Sequence, residues 1–241
     1  MRTLKVPVDT GSGSPVALLH GFAMLPQTYT GLVKRLEPHC RVVVPDLFDL
    51  RGRWSYGDVL DLFVATLDEL GIGNLTMIGH SFGGGIELGF AARSPERVTE
   101  LVFSDTLAVS REWRLAREAL SHPEGLVRLA SPKAVAAFGR NWLSHPRQLC
   151  DAALWAFASD REYDARGCAE SGVRSHVLWA NRDSILSRSD GIEFAEELHA
   201  SFTVAFAPDR RPVDHDWMFE QPDLFFEHLL ELGLVALAGT L

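Results

Sequence analysis

Short runs of apolar residues recur along the chain, and most are nearly continuous rather than alternating with polar residues. Continuous runs are typical of strands that are buried on both faces of a parallel sheet. They predict six strands, at Val16–Leu19, Arg41–Val44, Leu75–Ile78, Leu101–Phe103, His176–Trp179 and Phe202–Phe206. One further strand-like run, Thr3–Val8, precedes these six.

Segments with apolar residues at helical spacing lie between most of the predicted strands. They are Tyr56–Leu70, Gly84–Arg93, Ile192–Leu198 and, after Pro222, Leu224–Leu232. An alternation of strands and helices is the pattern of a mostly parallel sheet with helices on both faces. The sequence therefore predicts an α/β protein with a doubly wound sheet.

One interval between strands is too long for a single crossover helix. About 65 residues, 106–171, separate two of the runs, with prolines and aromatic residues at Pro123, Pro132, Pro146, Trp113, Phe138, Trp142, Trp155 and Phe157. We expect an inserted cap of short helices that roofs a pocket, although the aromatic rings could serve only to hold the insertion in place. Because no Pro/Gly/Ser-rich linker occurs, residues 1–241 are expected to form one domain.

Composition and charge exclude several classes of protein. The net charge of the 241 residues is −9 and no basic cluster occurs, so a nucleic-acid partner is not expected. No apolar run approaches the length of a membrane span, and no secretory signal is evident. The three cysteines are widely spaced and form no C-x-x-C pair, which favours a reducing, cytoplasmic setting. The oligomeric state stays open.

The main chemical signal is the pentapeptide Gly79-His80-Ser81-Phe82-Gly83, between a predicted strand and a predicted helix. This is G-x-S-x-G in the strand–turn–helix context that exposes a nucleophilic serine. Glycines two residues to either side remove Cβ atoms that would collide in so sharp a turn. The first turn of the following helix favours developing negative charge beside Ser81.

At this point the chain resembles the α/β-hydrolase family. We call the turn at Gly79–Gly83 the elbow. Besides the elbow, His20-Gly21-Phe22 after a strand is similar to the family's H-G-x motif. Asp49-Leu-Arg-Gly52 is similar to a displaced form of the family's D-x-R-G loop. Ser94-Pro-Glu-Arg-Val98 resembles its P-E-R-V turn. The resemblance covers roughly residues 15–230 and implies the α/β-hydrolase fold with a helical cap.

A serine hydroxyl needs a positioned base, and the base needs an orienting acid. In the family's order of serine, acid and histidine, the resemblance places the base at His215, after the last predicted strand. It places the acid at Asp183, although Ala180 stands where the family usually has glycine. Asp105, past the preceding strand, is the alternative acid. By the same resemblance, the oxyanion hole consists of the backbone N–H groups of Phe22 and Phe82.

These residues predict a serine hydrolase that cleaves a carboxylic ester of a small or medium apolar substrate through an acyl-enzyme on Ser81. The alternative is a carbon–carbon bond hydrolase of a diketone or dienone substrate, whose carboxylate Arg114, Arg140 or Arg147 could bind. The third hypothesis is a non-catalytic ligand receptor with the same fold. No cofactor or metal is expected, because H-E-x-x-H, a phosphate loop with lysine and G-x-G-x-x-G are all missing from the sequence.

Overall fold

A computed structural model describes residues 2–107, 132–158, 161–209 and 211–235. Its strands are β1 (Val8–Thr10), β2 (Pro15–Leu19), β3 (Arg41–Val44), β4 (Leu75–His80), β5 (Val98–Ser104), β6 (Arg174–Ala180) and β7 (Ser201–Ala205). The described helices are α1 (Thr30–Leu36), α2 (Tyr56–Glu69), α3 (Phe82–Arg93), α4 (Pro132–Ser144), α5 (Pro146–Ala158), α6 (Glu162–Ser171), α7 (Arg188–Glu197), α8 (Trp217–Glu220) and α9 (Pro222–Glu231). Short 3-10 helices span Pro26–Tyr29 and Pro95–Arg97.

The strands form one seven-stranded sheet in the order β1-β3-β2-β4-β5-β6-β7. Strand β1 pairs antiparallel with β3, and all other neighbouring strands are parallel. This is the α/β-hydrolase architecture that the sequence predicts, and all six principal strands are confirmed. Since the carboxyl ends of β2, β4 and β6 lie at one edge, the loops that follow them meet there.

The first strand differs from the prediction, because it spans Val8–Thr10 rather than Thr3–Val8. The N–H of Leu4 donates to the Thr66 side chain (2.9 Å), and Pro7 has no N–H to donate. Two of the N–H groups that a ladder over the predicted range would need are therefore not available to it.

Both faces of the sheet are buried, as the continuous apolar runs indicate. In β3, Val43 packs into one hydrophobic cluster, while Val42 and Val44 pack into a second. In β4, Met77 belongs to the first cluster and Ile78 to the second. Because successive side chains of a strand point to opposite faces, the two clusters lie on the two sides of the sheet.

Helices α4, α5 and α6 all come from the insertion between β5 and β6. The amide of Asn141 in α4 donates to the carbonyl of Met24 (3.0 Å), and Asp151 in α5 pairs with Arg53 and accepts the N–H of Trp54. These bonds attach the insertion to the loops after β2 and β3, beside the same sheet edge. Trp113, Pro123 and Arg114 lie outside the described residues, and the boundary of the cap at 106–171 stays a prediction, as does the single domain.

Glu87 of α3 is a buried carboxyl group that lies next to Gly79, the first residue of the elbow. Its Oε1 accepts the N–H of Val102 (3.1 Å), and a Cβ on Gly79 would lie 2.2 Å from its Oε2. Burial raises the pKa of Glu87 well above its ordinary value of 4.5. The native protein therefore keeps this proton at pH values where the unfolded chain has released it.

Glu87 should make stability fall as pH rises above about 4.5, because the native state then binds more protons than the unfolded state. Urea unfolding of wild type and Glu87→Gln between pH 5 and 8 measures this. We expect the free energy of unfolding of wild type to fall relative to the variant, by up to about 1.4 kcal/mol per pH unit. Glu96→Gln, at an exposed site, is the control and should follow wild type. Parallel curves for wild type and Glu87→Gln would show that Glu87 is ionised in the native state.

Candidate active site

Ser81 occupies a sharp turn between β4 and α3. Its φ of 50° and ψ of −113° lie where residues with a Cβ are rarely found. The backbone around it is held on both sides, since Ser81 N–H donates to the Ser104 carbonyl (2.9 Å) and its own carbonyl accepts the N–H of Leu107 (3.1 Å). The hydroxyl thus stands at the end of the central strand, as the motif predicts.

The glycines of the motif are required by close backbone contacts. A Cβ on Gly83 would lie 2.2 Å from the carbonyl oxygen of Leu19, and one on Gly79 would lie 2.6 Å from the Cα of Gly84. Because those neighbours are backbone atoms, no side-chain movement could make room. The packing of α3 against β2 and β4 therefore depends on both glycines.

His215 and Asp183 form a buried, hydrogen-bonded pair. His215 Nδ1 lies 2.8 Å from Asp183 Oδ2, and the two side chains are 6% and 1% exposed. The other oxygen of Asp183 accepts the N–H groups of Ile185 (2.8 Å) and Leu186 (2.7 Å). The carboxylate is therefore fixed by the loop after β6, and it fixes the imidazole in turn.

The electrostatics of the pair favour a charged carboxylate and a basic imidazole. Burial alone would disfavour both charges, but the mutual attraction outweighs it. The pKa of Asp183 falls below 3.8, and that of His215 rises above its ordinary 6.5 through the charge and hydrogen bond of Asp183. A histidine so placed is suited to accept a proton from a neighbouring hydroxyl.

Asp105, the alternative acid, also lies at this site but has different partners. Its Oδ1 accepts the N–H of Ala180 (2.7 Å), and its Oδ2 accepts the Trp217 indole N–H and the Ser104 hydroxyl. Burial, and after it the charge of Asp183, raises the pKa of Asp105 well above 3.8. The hydrogen bond to His215 Nδ1 comes from Asp183, so the geometry favours Asp183 as the orienting acid.

The structure places His215 against the elbow. Its backbone carbonyl accepts a hydrogen bond from His80 Nε2 (2.9 Å), and the two imidazole rings lie 5.0 Å apart. Among the hydrogen bonds between described residues, none joins the Ser81 hydroxyl to His215. Such a bond is often long in unliganded enzymes and shortens when the substrate binds.

The loop after β2 is oriented by His20. The N–H of Leu47 donates to His20 Nε2 (3.0 Å), so the proton of the neutral ring lies on Nδ1, which donates to the Gly21 carbonyl (3.1 Å). That carbonyl also accepts the N–H of Met24 (3.1 Å). In a trans peptide the N–H points away from the C=O, so these bonds fix the direction of the Phe22 N–H.

Phe82, the other predicted oxyanion donor, is the first residue of α3. A first-turn N–H has no carbonyl one turn earlier to bind, and it lies at the positive end of the helix dipole. The Phe22 and Phe82 rings, 5.8 Å apart, place the two predicted donors on adjacent segments. The Phe22 ring is half-buried and the Phe82 ring packs behind it.

Aromatic rings surround the elbow on one side. We call this set the aromatic wall, and its members are Phe22, Phe48, Trp54, Phe82 and Trp155. Ring centroids within it lie 5.3 to 5.9 Å apart, distances typical of favourable aromatic pairs. Trp155 comes from α5, so an inserted helix contacts the ring of Phe82, the residue that follows Ser81.

Two further buried polar side chains, Tyr29 and His80, lie at this site, and no motif in the sequence assigns them a role. His80 stands at the first x of G-x-S-x-G, where the motif specifies no residue type, and both of its nitrogens make hydrogen bonds, to Tyr29 and to the His215 carbonyl. Tyr29 also binds the N–H of Gly21. No periodicity reveals such contacts, because the residues lie far apart in the chain.

Two clusters of side chains at this site have the donor types that bind metals. They are His80, His215 and Asp216, and Asp105, Asp183 and His215, whose ligand-type atoms lie within 4.8 Å of one another. The hydrogen bonds already described occupy both nitrogens of His80 and both oxygens of Asp105 and of Asp183. Hydrogen bonding within the protein therefore accounts for His80, Asp105 and Asp183, and the expectation of no metal or cofactor stays a prediction. Within the described ranges, no helix has the length and apolarity needed to cross a membrane.

Comparison with known proteins places the chain in a family. The family model of the alpha/beta hydrolase fold matches residues 14–156. The 2-hydroxymuconate semialdehyde hydrolase of Pseudomonas putida is 35% identical over 111 residues, 42% of this chain and 40% of that protein. The chain thus spans about two fifths of the length of the curated relatives it matches first.

Two solved structures show the same fold over almost the whole chain. A thermophilic esterase from Thermogutta terrifontis has a TM-score of 0.76 at 24% identity, covering 95% of this chain and 92% of its own. A meta-cleavage product hydrolase from Pseudomonas fluorescens has a TM-score of 0.70 at 19% identity, covering 94% and 92%. Since the family model covers more than half of the residues and these structures share the fold, the chain belongs to the alpha/beta hydrolase fold family.

Proposed function

We propose that the chain is a serine hydrolase that cleaves a carboxylic ester through an acyl-enzyme on Ser81. The observation that carries the proposal is the buried pair of His215 and Asp183 (2.8 Å), held against the elbow that presents Ser81. A histidine oriented by a buried carboxylate, next to a serine in a sharp strand-to-helix turn, is the arrangement that nucleophilic catalysis uses.

The reaction begins when His215 accepts the proton of the Ser81 hydroxyl and Ser81 Oγ attacks the ester carbonyl. The carbonyl oxygen becomes an oxyanion that the N–H groups of Phe22 and Phe82 bind. His215 returns the proton to the departing alcohol, and an acyl-enzyme remains. Water, deprotonated by His215, then attacks the acyl group and frees Ser81. Asp183 stays ionised and stabilises the imidazolium in both halves.

An apolar substrate is supported by the aromatic wall. Phe22 and Trp155 within it are only half-buried, so the wall offers partly exposed hydrocarbon on the side of the proposed oxyanion hole. Each apolar side chain that a substrate covers contributes about 25 cal/mol per Å² removed from water. Substrates with a small or medium apolar acyl or alcohol group should therefore bind best.

Carbon–carbon bond hydrolysis is the second candidate, and the similarity to the 2-hydroxymuconate semialdehyde hydrolase of Pseudomonas putida favours it. A substrate of that kind carrying a carboxylate would need a cation beside the site. The buried arginine of the insertion, Arg161, donates to the carbonyls of Leu107 and Ala156 and lies 4.7 Å from the Trp155 ring centroid. Arg140 and Arg147 are exposed, and Arg114 lies outside the described residues. Among the described arginines of the insertion, the buried one is already bound to backbone carbonyls, which supports the ester as the first candidate.

Of the three hypotheses about function, the ligand receptor has the least support from the site. A receptor has no need of a histidine with a raised pKa or of a strained serine. Their presence together supports an enzyme, and a covalent probe of the serine separates the two readings.

Ser81→Ala should abolish both turnover and covalent labelling, because it removes the attacking oxygen. The measurement is hydrolysis of p-nitrophenyl esters from acetate to palmitate, with fluorophosphonate labelling in parallel. We expect wild type to be labelled and to prefer short or medium chains, with turnover at least about a thousandfold lower in the variant. Labelling without ester hydrolysis would move carbon–carbon hydrolysis to first place. Absence of labelling in wild type would favour the receptor.

Asp183→Asn should lower kcat by about three to four orders of magnitude, because the amide no longer stabilises the imidazolium. In wild type, kcat/KM should rise with pH as His215 loses its proton, at a pKa above 6.5. In the variant this rise should move to lower pH, since the charge that raises the pKa is gone. Asp105→Asn is the matched control and should cost at most about tenfold in kcat. A larger loss in Asp105→Asn than in Asp183→Asn would make Asp105 the triad acid.

A further inference from the structure

We propose that Tyr29 and His80 are positioning residues that hold the oxyanion loop, the nucleophile and the catalytic histidine in one fixed arrangement. We call this chain of hydrogen bonds the Tyr29–His80 relay. The proposal rests on the proposed function, because its purpose is to align the groups of that reaction.

The relay joins the loop after β2, the end of β4 and the loop that carries His215, through two buried side chains. The N–H of Gly21 donates to the Tyr29 hydroxyl (2.9 Å), which lies 2.7 Å from His80 Nδ1. His80 Nε2 lies 2.9 Å from the backbone carbonyl of His215. Both side chains are at most 1% exposed, so water does not compete for these bonds.

The direction of every bond in the relay is fixed by its two ends. An N–H can only donate and a carbonyl can only accept. His80 must therefore carry its proton on Nε2 and donate it to His215. Its Nδ1 is then an acceptor, and the Tyr29 hydroxyl donates to it while receiving the N–H of Gly21. One neutral tautomer of His80 satisfies all three contacts.

This state persists over the pH range in which the hydrolase would work. Burial lowers the pKa of His80 to about 3, reinforced by the nearby charge of His215, and burial raises the pKa of Tyr29 above its ordinary 10.0. Neither group titrates near neutrality. The relay is thus a fixed part of the site and does not take part in proton transfer.

Each end of the relay is adjacent to a group that the reaction uses. Gly21 precedes the proposed donor Phe22, His80 precedes Ser81, and the third partner is His215 itself. The loops are also in tight contact, since a Cβ on Gly21 would lie 3.0 Å from His80 Nδ1. A shift in any one bond would therefore change the distances between the hydroxyl, the imidazole and the oxyanion donors.

Small displacements of reacting groups cost much more in kcat than in substrate binding. A misplacement of about 1 Å lowers a rate by up to about a hundredfold. Loss of the relay should therefore reduce kcat and the rate of covalent labelling, with KM nearly constant. A purely structural role would instead reduce stability and leave kcat of the folded protein unchanged.

The test compares Tyr29→Phe, His80→Leu and their double variant by kcat, KM, Tm and the rate of fluorophosphonate labelling. We expect each single variant to lose about tenfold or more in kcat and labelling rate, with KM within about twofold. The double variant should lose no more than the worse single, because either change breaks the same relay. His80→Gln, whose amide N–H can replace Nε2–H, should recover most of the rate.

Thr66→Val is the matched control for loss of a buried hydroxyl. Thr66 Oγ1 accepts the N–H of Leu4 (2.9 Å) and donates to the Leu62 carbonyl (2.7 Å), far from the reacting groups in the fold. It should lower Tm while kcat stays at the wild-type value. If wild type is labelled and the relay variants are labelled at the same rate, the relay proposal is wrong and the proposed function stands.

A second measurement tests the relay even if wild type shows no hydrolysis or labelling, which would contradict the proposed function instead. In ¹⁵N-histidine NMR spectra, the signals of His80 are assigned by their loss in His80→Leu. We expect the neutral Nε2–H tautomer between pH 5 and 8, and a shift of the Nδ1 signal in Tyr29→Phe. An Nδ1–H tautomer, or a Nδ1 signal unchanged in Tyr29→Phe, would overturn the relay.

Discussion

The geometry of the site depends on the strained backbone turn at Ser81. Positive φ at a residue with a Cβ costs of order 1–3 kcal/mol, and the surrounding sheet supplies the compensation. Ser81 N–H donates to the Ser104 carbonyl and the Ser81 carbonyl accepts the N–H of Leu107, and these two bonds hold the turn to β5 and its following loop. The close approach of Gly83 to the Leu19 carbonyl brings α3 against β2. Because the same contacts pack α3 on the sheet and hold the serine turn, the fold cannot relax this turn without losing core packing.

Two carboxyl groups share the buried surroundings of His215, and burial together with their position relative to the imidazole gives them different protonation. Asp183 accepts two backbone N–H groups and faces the imidazole, so its charge is stabilised. Asp105 is fully buried and close to a charge of the same sign, which favours its neutral form. Two ionised carboxylates so close together would repel each other strongly. The loop after β6 therefore decides which aspartate can orient the histidine.

The sequence predicted the sheet, its helices and the serine turn because each leaves a local pattern. Continuous apolar runs follow from burial on both faces, and the glycines beside Ser81 follow from the space that the turn lacks. Asp183 and His215 needed the family resemblance in addition, since nothing in their neighbourhoods joins residues 32 positions apart. The first strand was misplaced because a side-chain acceptor, Thr66, and a proline interrupt an otherwise apolar run. Contacts such as Tyr29 with His80, separated by 51 positions, leave no pattern at all.

The three histidines at the site differ in the groups that they face, and this difference determines what each can do. His20 and His80 face backbone N–H and C=O groups and a neutral hydroxyl, so burial lowers the pKa of both. Backbone partners then impose opposite tautomers, with the proton on Nδ1 in His20 and on Nε2 in His80. His215 faces a carboxylate, which raises its pKa in spite of the same burial. A buried imidazole that is hydrogen-bonded to backbone groups stays neutral and holds the backbone in place, whereas one that is hydrogen-bonded to a buried carboxylate can act as a base. At this site His20 and His80 are of the first kind and His215 is of the second.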